Sequence, residues 1–374
     1  MTSKRQPLFA RTTHPKIAPL ATDLARKAIF GLREPSGASF TIDSTSISKN
    51  AAGFIEGWKR FAGLAEMQLK DSRRKGLSMS DQNACGHGVG EGSEARDLAN
   101  RRLRAIVYGA AVGDALGVPY EFMTRDTFRC TGMTGGGAHG MPAGTFSDDT
   151  SLMLATCASF GALGRIDADD MRREFARWLH DGAYTPDGKV FDVGNATAAA
   201  INQGFGCSGE RSNGNGSLMR IAPLALTNAT DSDVREVSAI THAHAISKEA
   251  CVAFVRILRD VLHGEGLGEA IERNVPADPR FAFMRDIKAW NRKDVRSSGY
   301  VIDTLGAALW CALNTSDYAS CVREAVNLGD DSDTTACVAG ALAGALYGLD
   351  AIPQEWIEQL RGKNVIERAI EGWF

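Results

Sequence analysis

The chain has 374 residues, 44% hydrophobic and 23% charged, with a formal net charge of −3. That length and composition are ordinary for one large globular domain, or a domain plus an appendage. The near-neutral charge excludes an electrostatic nucleic-acid binder.

The longest small-apolar run, 336–349, falls short of the roughly 20 residues a bilayer span needs. The basic N-terminus, 1–7, is not followed by an apolar run of signal length, so no membrane role is expected. The eight cysteines are scattered, without CxxC or Cys/His zinc spacing. They read as reduced core thiols of a cytoplasmic protein.

In chain order, residues 1–98 come first and are uneven. Stretches 33–48 and 78–93 are rich in Ser, Gly and other small or polar residues. Between them Phe54, Trp58, Phe61, Leu64 and Met67 recur at helical spacing and predict an amphipathic helix over 51–69. A weaker helix is predicted over 18–30. The segment reads as an N-terminal appendage, joined to the main domain by a loop around 85–94.

From residue 95 the pattern is helical. Helices are predicted over 103–116, 151–163, 168–179, 193–203, 233–243, 247–262, 300–313, 318–326 and 335–348. Strands alternating with helices are missing, so no parallel sheet is expected. The reading is one compact all-α domain, 99–374.

Two acidic clusters stand out: Ser147-Asp148-Asp149-Thr150, and Asp330-Asp331-Ser332-Asp333-Thr334. Each opens an Ala-rich helix. Taken singly, each is accounted for by helix capping, since acidic and hydroxyl residues suit a helix N-terminus. Together they supply the hard oxygen ligands of a divalent-cation site, and keeping adjacent buried carboxylates ionised together favours a bound cation.

Other segments carry weaker signals. In the run 109–121, the glycines four apart predict close helix packing. Asp114 is either a buried hydrogen-bonding residue or a cap. Glu121, just after Pro119, is placed past a helix end where it can project into a cleft. Asn213-Gly214-Asn215-Gly216-Ser217 is either a plain turn or a loop that turns N–H groups toward an anion, and it lacks the lysine of a nucleotide P-loop. His242 and His244 read as satisfied polar residues at a helix end. Tyr300 is either a base or ribose platform or a helix cap.

In this order, GAAVGDALGVPYE (109–121), FSDDTSLM (146–153), GNGSLMR (214–220), TH (241–242), SGYVIDTLGAALW (298–310) and GDDSDTTACVAGALAGALYG (329–348) resemble the ADP-ribosylglycohydrolase family. The resemblance implies an all-α domain with two Mg²⁺ ions in a cleft, Mn²⁺ being an alternative. It implies metal ligation by Ser147, Asp148, Asp149, Asp331, Asp333 and Thr334, and a flexible acid, Glu121, beside them. It implies ADP-ribose binding by the loop holding Asn215, Gly216 and Ser217, with Tyr300 a further contact. Ser147 stands where Thr is usual and keeps the hydroxyl. Asp330 stands where Gly is usual and adds charge beside the metals.

The implied reaction is Mg²⁺-dependent hydrolysis of ADP-ribose from a modified protein side chain, arginine by family analogy. Catalysis would fall to Glu121, Asp148, Asp149 and Asp331. The appendage lies outside the resemblance. It is either a tail or packing collar, or an arm that binds a partner. Relatives of this kind include immunity proteins against ADP-ribosyltransferase toxins, so a toxin-occluding binding protein is the second functional reading. A metal-dead scaffold is the third, disfavoured by the intact ligand set.

Overall fold

The computed structural model describes residues 90–374. The expected helices over 18–30 and 51–69, Trp58 and Cys85 lie outside the described residues. Among the described residues there are twelve α-helices and several 3₁₀ turns. Strand pairing is limited to isolated bridges such as Cys207–His242 and Gly214–Tyr300. The all-α expectation therefore holds.

Two helices form the centre. Helix α1 (Gly90–Gly117) packs along α10 (Ser332–Tyr347). Glycine is required at this crossing because backbone meets backbone. A Cβ on Gly113 would lie 2.1 Å from the Ala336 carbonyl oxygen, and one on Gly344 2.0 Å from that of Ala105. The spacing that predicted close packing does so here. α8 (Val301–Asn314) and α9 (Tyr318–Asn327) flank α10. The buried Tyr318 hydroxyl donates to the Gly109 carbonyl at 2.7 Å and ties α9 to α1.

Around this centre lie α2 (Asp148–Leu163), α3 (Ala168–Asp181), α4 (Asn195–Gln203), α5 (Asp231–Ala239), α6 (Ala245–Leu262) and α7 (Leu267–Arg273). α11 (Gln354–Gln359) and α12 (Lys363–Ile370) close the chain. Their boundaries follow local chemistry. Ser147 caps α2 and left-handed Gly164 ends it. Thr230 and Asp233 form a reciprocal capping box on α5.

Three expectations change. α1 starts at Gly90, well before 103, so the stretch from Gly90 onward in the loop expected around 85–94 is helical instead. α5 stops at Ala239 instead of 243, because the backbone of Thr241 and Ala243 pairs with Cys207. The short helices α7, α11 and α12 were not anticipated. Among the described residues no helix is long and apolar enough to cross a membrane. The described cysteines are free and all but Cys207 are buried. Burial pushes the Cys130 thiol up to about 11, so it stays protonated.

Candidate metal centre and cleft

The N-termini of α2 and α10 meet at the end of α1. Asp114, near the end of α1 and fully buried, fixes the first of them. Its carboxylate accepts the Ser147 amide at 2.9 and 3.0 Å, the Thr150 amide at 3.0 Å and the Thr150 hydroxyl at 2.6 Å. Both alternatives for Asp114 are thus realised at once: it is a buried acceptor, and it caps a helix other than its own. Burial raises its pKa to about 6, against the lowering effect of these donors.

Asp149 and Asp333 face each other across this junction, each with no exposure. The Ser147 hydroxyl donates to Asp149 Oδ2 at 2.9 Å, and the Thr334 hydroxyl donates to the same oxygen at 3.3 Å. The Thr334 amide donates to Asp333 Oδ1 at 2.9 Å. Each carboxylate therefore has one oxygen held and one bare. Asp149 Oδ1 and Asp333 Oδ2 are buried without a hydrogen-bond partner.

More acids crowd the same space. Oxygens of Asp114, Asp149 and Asp333 lie within 4.8 Å of one another, as do those of Glu121, Asp331 and Asp333, and of Asp148, Asp149 and Asp192. Burial first, then neighbouring carboxylates, holds Asp148, Asp149 and Asp333 well above the usual carboxylate range. Burial also raises Asp331 and Asp192. Glu121 is 5% exposed, and burial with Asp192, Asp331 and Asp114 nearby pushes it up to about 9. Two bare buried oxygens inside such a cluster are what a hard divalent cation neutralises. The residues present fit the implied metal.

The sequence-predicted ligands Ser147, Asp148, Asp149, Asp331, Asp333 and Thr334 are thus brought together, with Glu121 beside them. The cleft also contains two residues that sequence reading missed. His139 Nε2 contacts the Glu121 carboxylate and lies 3.8 Å from Asp192 Oδ1. Asp192 carried one usable signal, since it shortly precedes the Ala-rich helix α4, as the two clusters precede α2 and α10. His139, alone in a Gly-rich loop, carried none.

The glycine loop lies on the Asp331 side. Asn215 Nδ2 donates to Asp331 Oδ2 and to Thr304 Oγ1, both at 2.8 Å, so this side chain steadies a cluster acid. A Cβ on Gly216 would lie 2.7 Å from His242 Cε1. His242 is buried and held neutral, its pKa lowered to about 3 by burial and by Arg220. Ser217 has no exposure, and its hydroxyl accepts from Ser238 at 2.9 Å. Tyr300 is half-buried and precedes α8, its backbone bridged to Gly214. Arg220, fully buried, lies beneath the loop and donates to the Gly216 carbonyl at 3.2 Å and to the Thr241 hydroxyl at 2.8 Å.

Asp330 departs from expectation. Its side chain is exposed, not crowded into the acid cluster. Its φ of 56° is left-handed, the conformation a glycine there would adopt without cost. Its backbone pairs with the segment after Glu121: Phe122 N donates to Asp330 O at 2.7 Å, and Asp330 N to Met123 O at 2.9 Å.

Comparison with known proteins identifies the family. The ADP-ribosylglycohydrolase family model matches residues 95–373. An ADP-ribosylarginine hydrolase Tri1 of Serratia proteamaculans (strain 568) is 34% identical over 288 residues, which is 73% of this chain and 79% of that protein. The ADP-ribosyl-[dinitrogen reductase] glycohydrolase of Rhodospirillum rubrum is 35% identical over 287 residues, 72% of this chain and 93% of its own. A solved structure titled "ADP-ribosylglycohydrolase-related protein complex" superposes with a TM-score of 0.63 at 34% identity, covering 74% of this chain and 98% of that one. With the family model spanning nearly every described residue, the chain belongs to the ADP-ribosylglycohydrolase family.

Proposed function

We propose that the protein is an ADP-ribosylarginine hydrolase that uses two Mg²⁺ ions, Mn²⁺ being an alternative. The observation that carries this is the pair of bare buried oxygens, Asp149 Oδ1 and Asp333 Oδ2, inside a cluster of further acids. The names of its relatives, one an ADP-ribosylarginine hydrolase and one acting on ADP-ribosylated dinitrogen reductase, support the substrate class.

Ser147, Asp148, Asp149, Asp331, Asp333 and Thr334 would hold the ions. Bound there, the ions supply Lewis-acid polarisation and a lowered pKa for water. The chain's own residues do the rest. Asn215 fixes the Asp331 carboxylate, and Asp114 fixes the start of α2. With bound ions offsetting the burial and neighbouring charge that otherwise keep it protonated, Glu121, held by His139, would accept a proton from the water that adds to the ribose anomeric carbon, while the bond to the guanidinium nitrogen breaks and its electron pair stays on that nitrogen, releasing a neutral guanidine. Asp148, Asp149 and Asp331 set the charge around that carbon. Gly216, with Asn215 and Ser217 in one loop and Tyr300 beside it, would receive the ADP-ribose. Arg220 beneath the loop favours the diphosphate on that side. Asp333→Ala is expected to abolish ADP-ribose release while the fold is retained; release at the wild-type rate would reject the assignment.

A second role rests on the extent of the match. The family model begins at residue 95, so most of 1–98 has no counterpart in it. We infer a partner-binding arm, with an ADP-ribosyltransferase toxin as the partner it would occlude. Removing 1–89, which spares α1, should then abolish toxin binding and leave hydrolysis intact; binding that survives the deletion would rule the arm out.

A further inference from the structure

Phe122 is misplaced by every local rule. It follows Glu121 directly, is 67% exposed, and has a φ of 66°. A bulky residue in left-handed backbone is strained, and such strain persists only where the surroundings impose it. Here they do, through the backbone pairing of Phe122 and Met123 with Asp330. Neither burial nor backbone preference accounts for an aromatic at this position.

Its neighbours extend it into a rim. The Phe122 ring lies 5.9 Å from the His139 ring, and His139 lies 5.2 Å from the half-buried Phe191. Met123, next in the chain, is also exposed. This apolar edge borders carboxylates: Glu121 and Asp192 at His139, and exposed Asp330 paired to the Phe122 backbone. The donors of the nearby guanidinium groups are already engaged. Arg125 donates to the carbonyls of Leu328, Arg292 and Val295, and Arg292 pairs with Asp126 and Glu324.

The two sides of the site therefore differ in the groups they offer. The glycine-loop side has neutral His242 and the buried Arg220 cation beneath it. The Glu121 side offers aromatic faces among acids. The Phe122 ring face attracts a guanidinium through its quadrupole, and Asp330, exposed and outside the ion-holding acids, adds a negative charge on the same edge.

We propose that Phe122, together with Phe191 across His139, forms the subsite for the guanidinium and side chain of the modified arginine. This rests on the hydrolase reading above. It makes Phe122 a specificity residue for the leaving group and gives it no part in ADP-ribose binding.

The test uses the full chain with Mg²⁺, ADP-ribosylarginine as substrate and free ADP-ribose as ligand. Phe122 is exposed, so its substitution does not disturb the core. Phe122→Ala should raise KM for ADP-ribosylarginine about two- to fivefold, the size of an exposed cation–π contact. Phe122→Trp should keep the wild-type KM. Affinity for free ADP-ribose, measured by calorimetry, should be the same in all three proteins. An unchanged KM in Phe122→Ala, a failure of Trp to substitute, or an equal loss of ADP-ribose affinity would each overturn the subsite. If the wild type itself releases nothing from ADP-ribosylarginine, the hydrolase reading fails first and the subsite with it.

Discussion

Asp114 and Thr150 join the first helix to the second through two contacts, amide to carboxylate at 3.0 Å and hydroxyl to carboxylate at 2.6 Å. With the Ser147 amide on the same carboxylate, one residue of α1 sets where Asp148 and Asp149 begin α2. Asp114→Ala leaves buried amides without an acceptor. We expect a loss of about 3 kcal/mol in urea denaturation, with weaker Mg²⁺ binding by calorimetry. Unaltered stability would mean that α2 holds its start without this cap.

Cation dependence should appear as stability. The acids around Asp149 and Asp333 repel one another, so saturating Mg²⁺ should raise the wild-type Tm by about 5 °C over EDTA, from ligand linkage in a domain of this size. Asp333→Asn removes one of the repelling charges. In EDTA its Tm should exceed that of the wild type, and Mg²⁺ should add little to it. A variant that is less stable in EDTA would argue against charge repulsion at the site.

The pH dependence has a definite sign. Glu121 is raised from 4.5 to about 9 in the folded protein, and Asp148, Asp149 and Asp333 are raised too. The folded state then binds more protons than the unfolded one between these limits. Stability in EDTA is therefore fully present below the ordinary carboxyl range and is lost as pH rises toward about 9. With Mg²⁺ the carboxylates are compensated and the slope flattens. Thermal melts from pH 5 to 9, with and without Mg²⁺, should show a gap that widens with pH; parallel curves would contradict it.

Glycines along the α1–α10 crossing separate stability from site geometry. A Cβ on Gly344 would meet the Ala105 carbonyl at 2.0 Å, and one on Gly117 would meet Asp333 Cα at 2.3 Å. Either change to Ala should cost roughly 1–3 kcal/mol from overpacking. Only Gly117→Ala displaces a cluster acid, so only it should also weaken Mg²⁺ binding. Equal Mg²⁺ affinity in both variants would show that the strain is absorbed elsewhere.

The legible parts of this protein were those written in adjacent residues. Asp148-Asp149 and Asp331/Asp333 declared themselves as pairs, and the glycines spaced four apart declared the helix crossing. His139 and Asp192 are single residues in loops, and they join Glu121 only through tertiary folding. The amide of Asn215 donates to Thr304 and Asp331, contacts made across 89 and 116 residues of sequence that no local pattern reveals. The early start of α1 was hidden by its polar first turns, and α7, α11 and α12 are too short for periodicity to register. Asp330 looked like a charge added to the cluster, whereas its left-handed backbone turns the side chain to solvent.

The most direct test of the central claim is release of free ADP-ribose from an arginine-ADP-ribosylated protein, compared in Mg²⁺ and in EDTA. The account predicts steady release with Mg²⁺ and none with EDTA, restored when Mg²⁺ is returned in excess. No release with Mg²⁺ from folded protein, or equal release in EDTA, would contradict it.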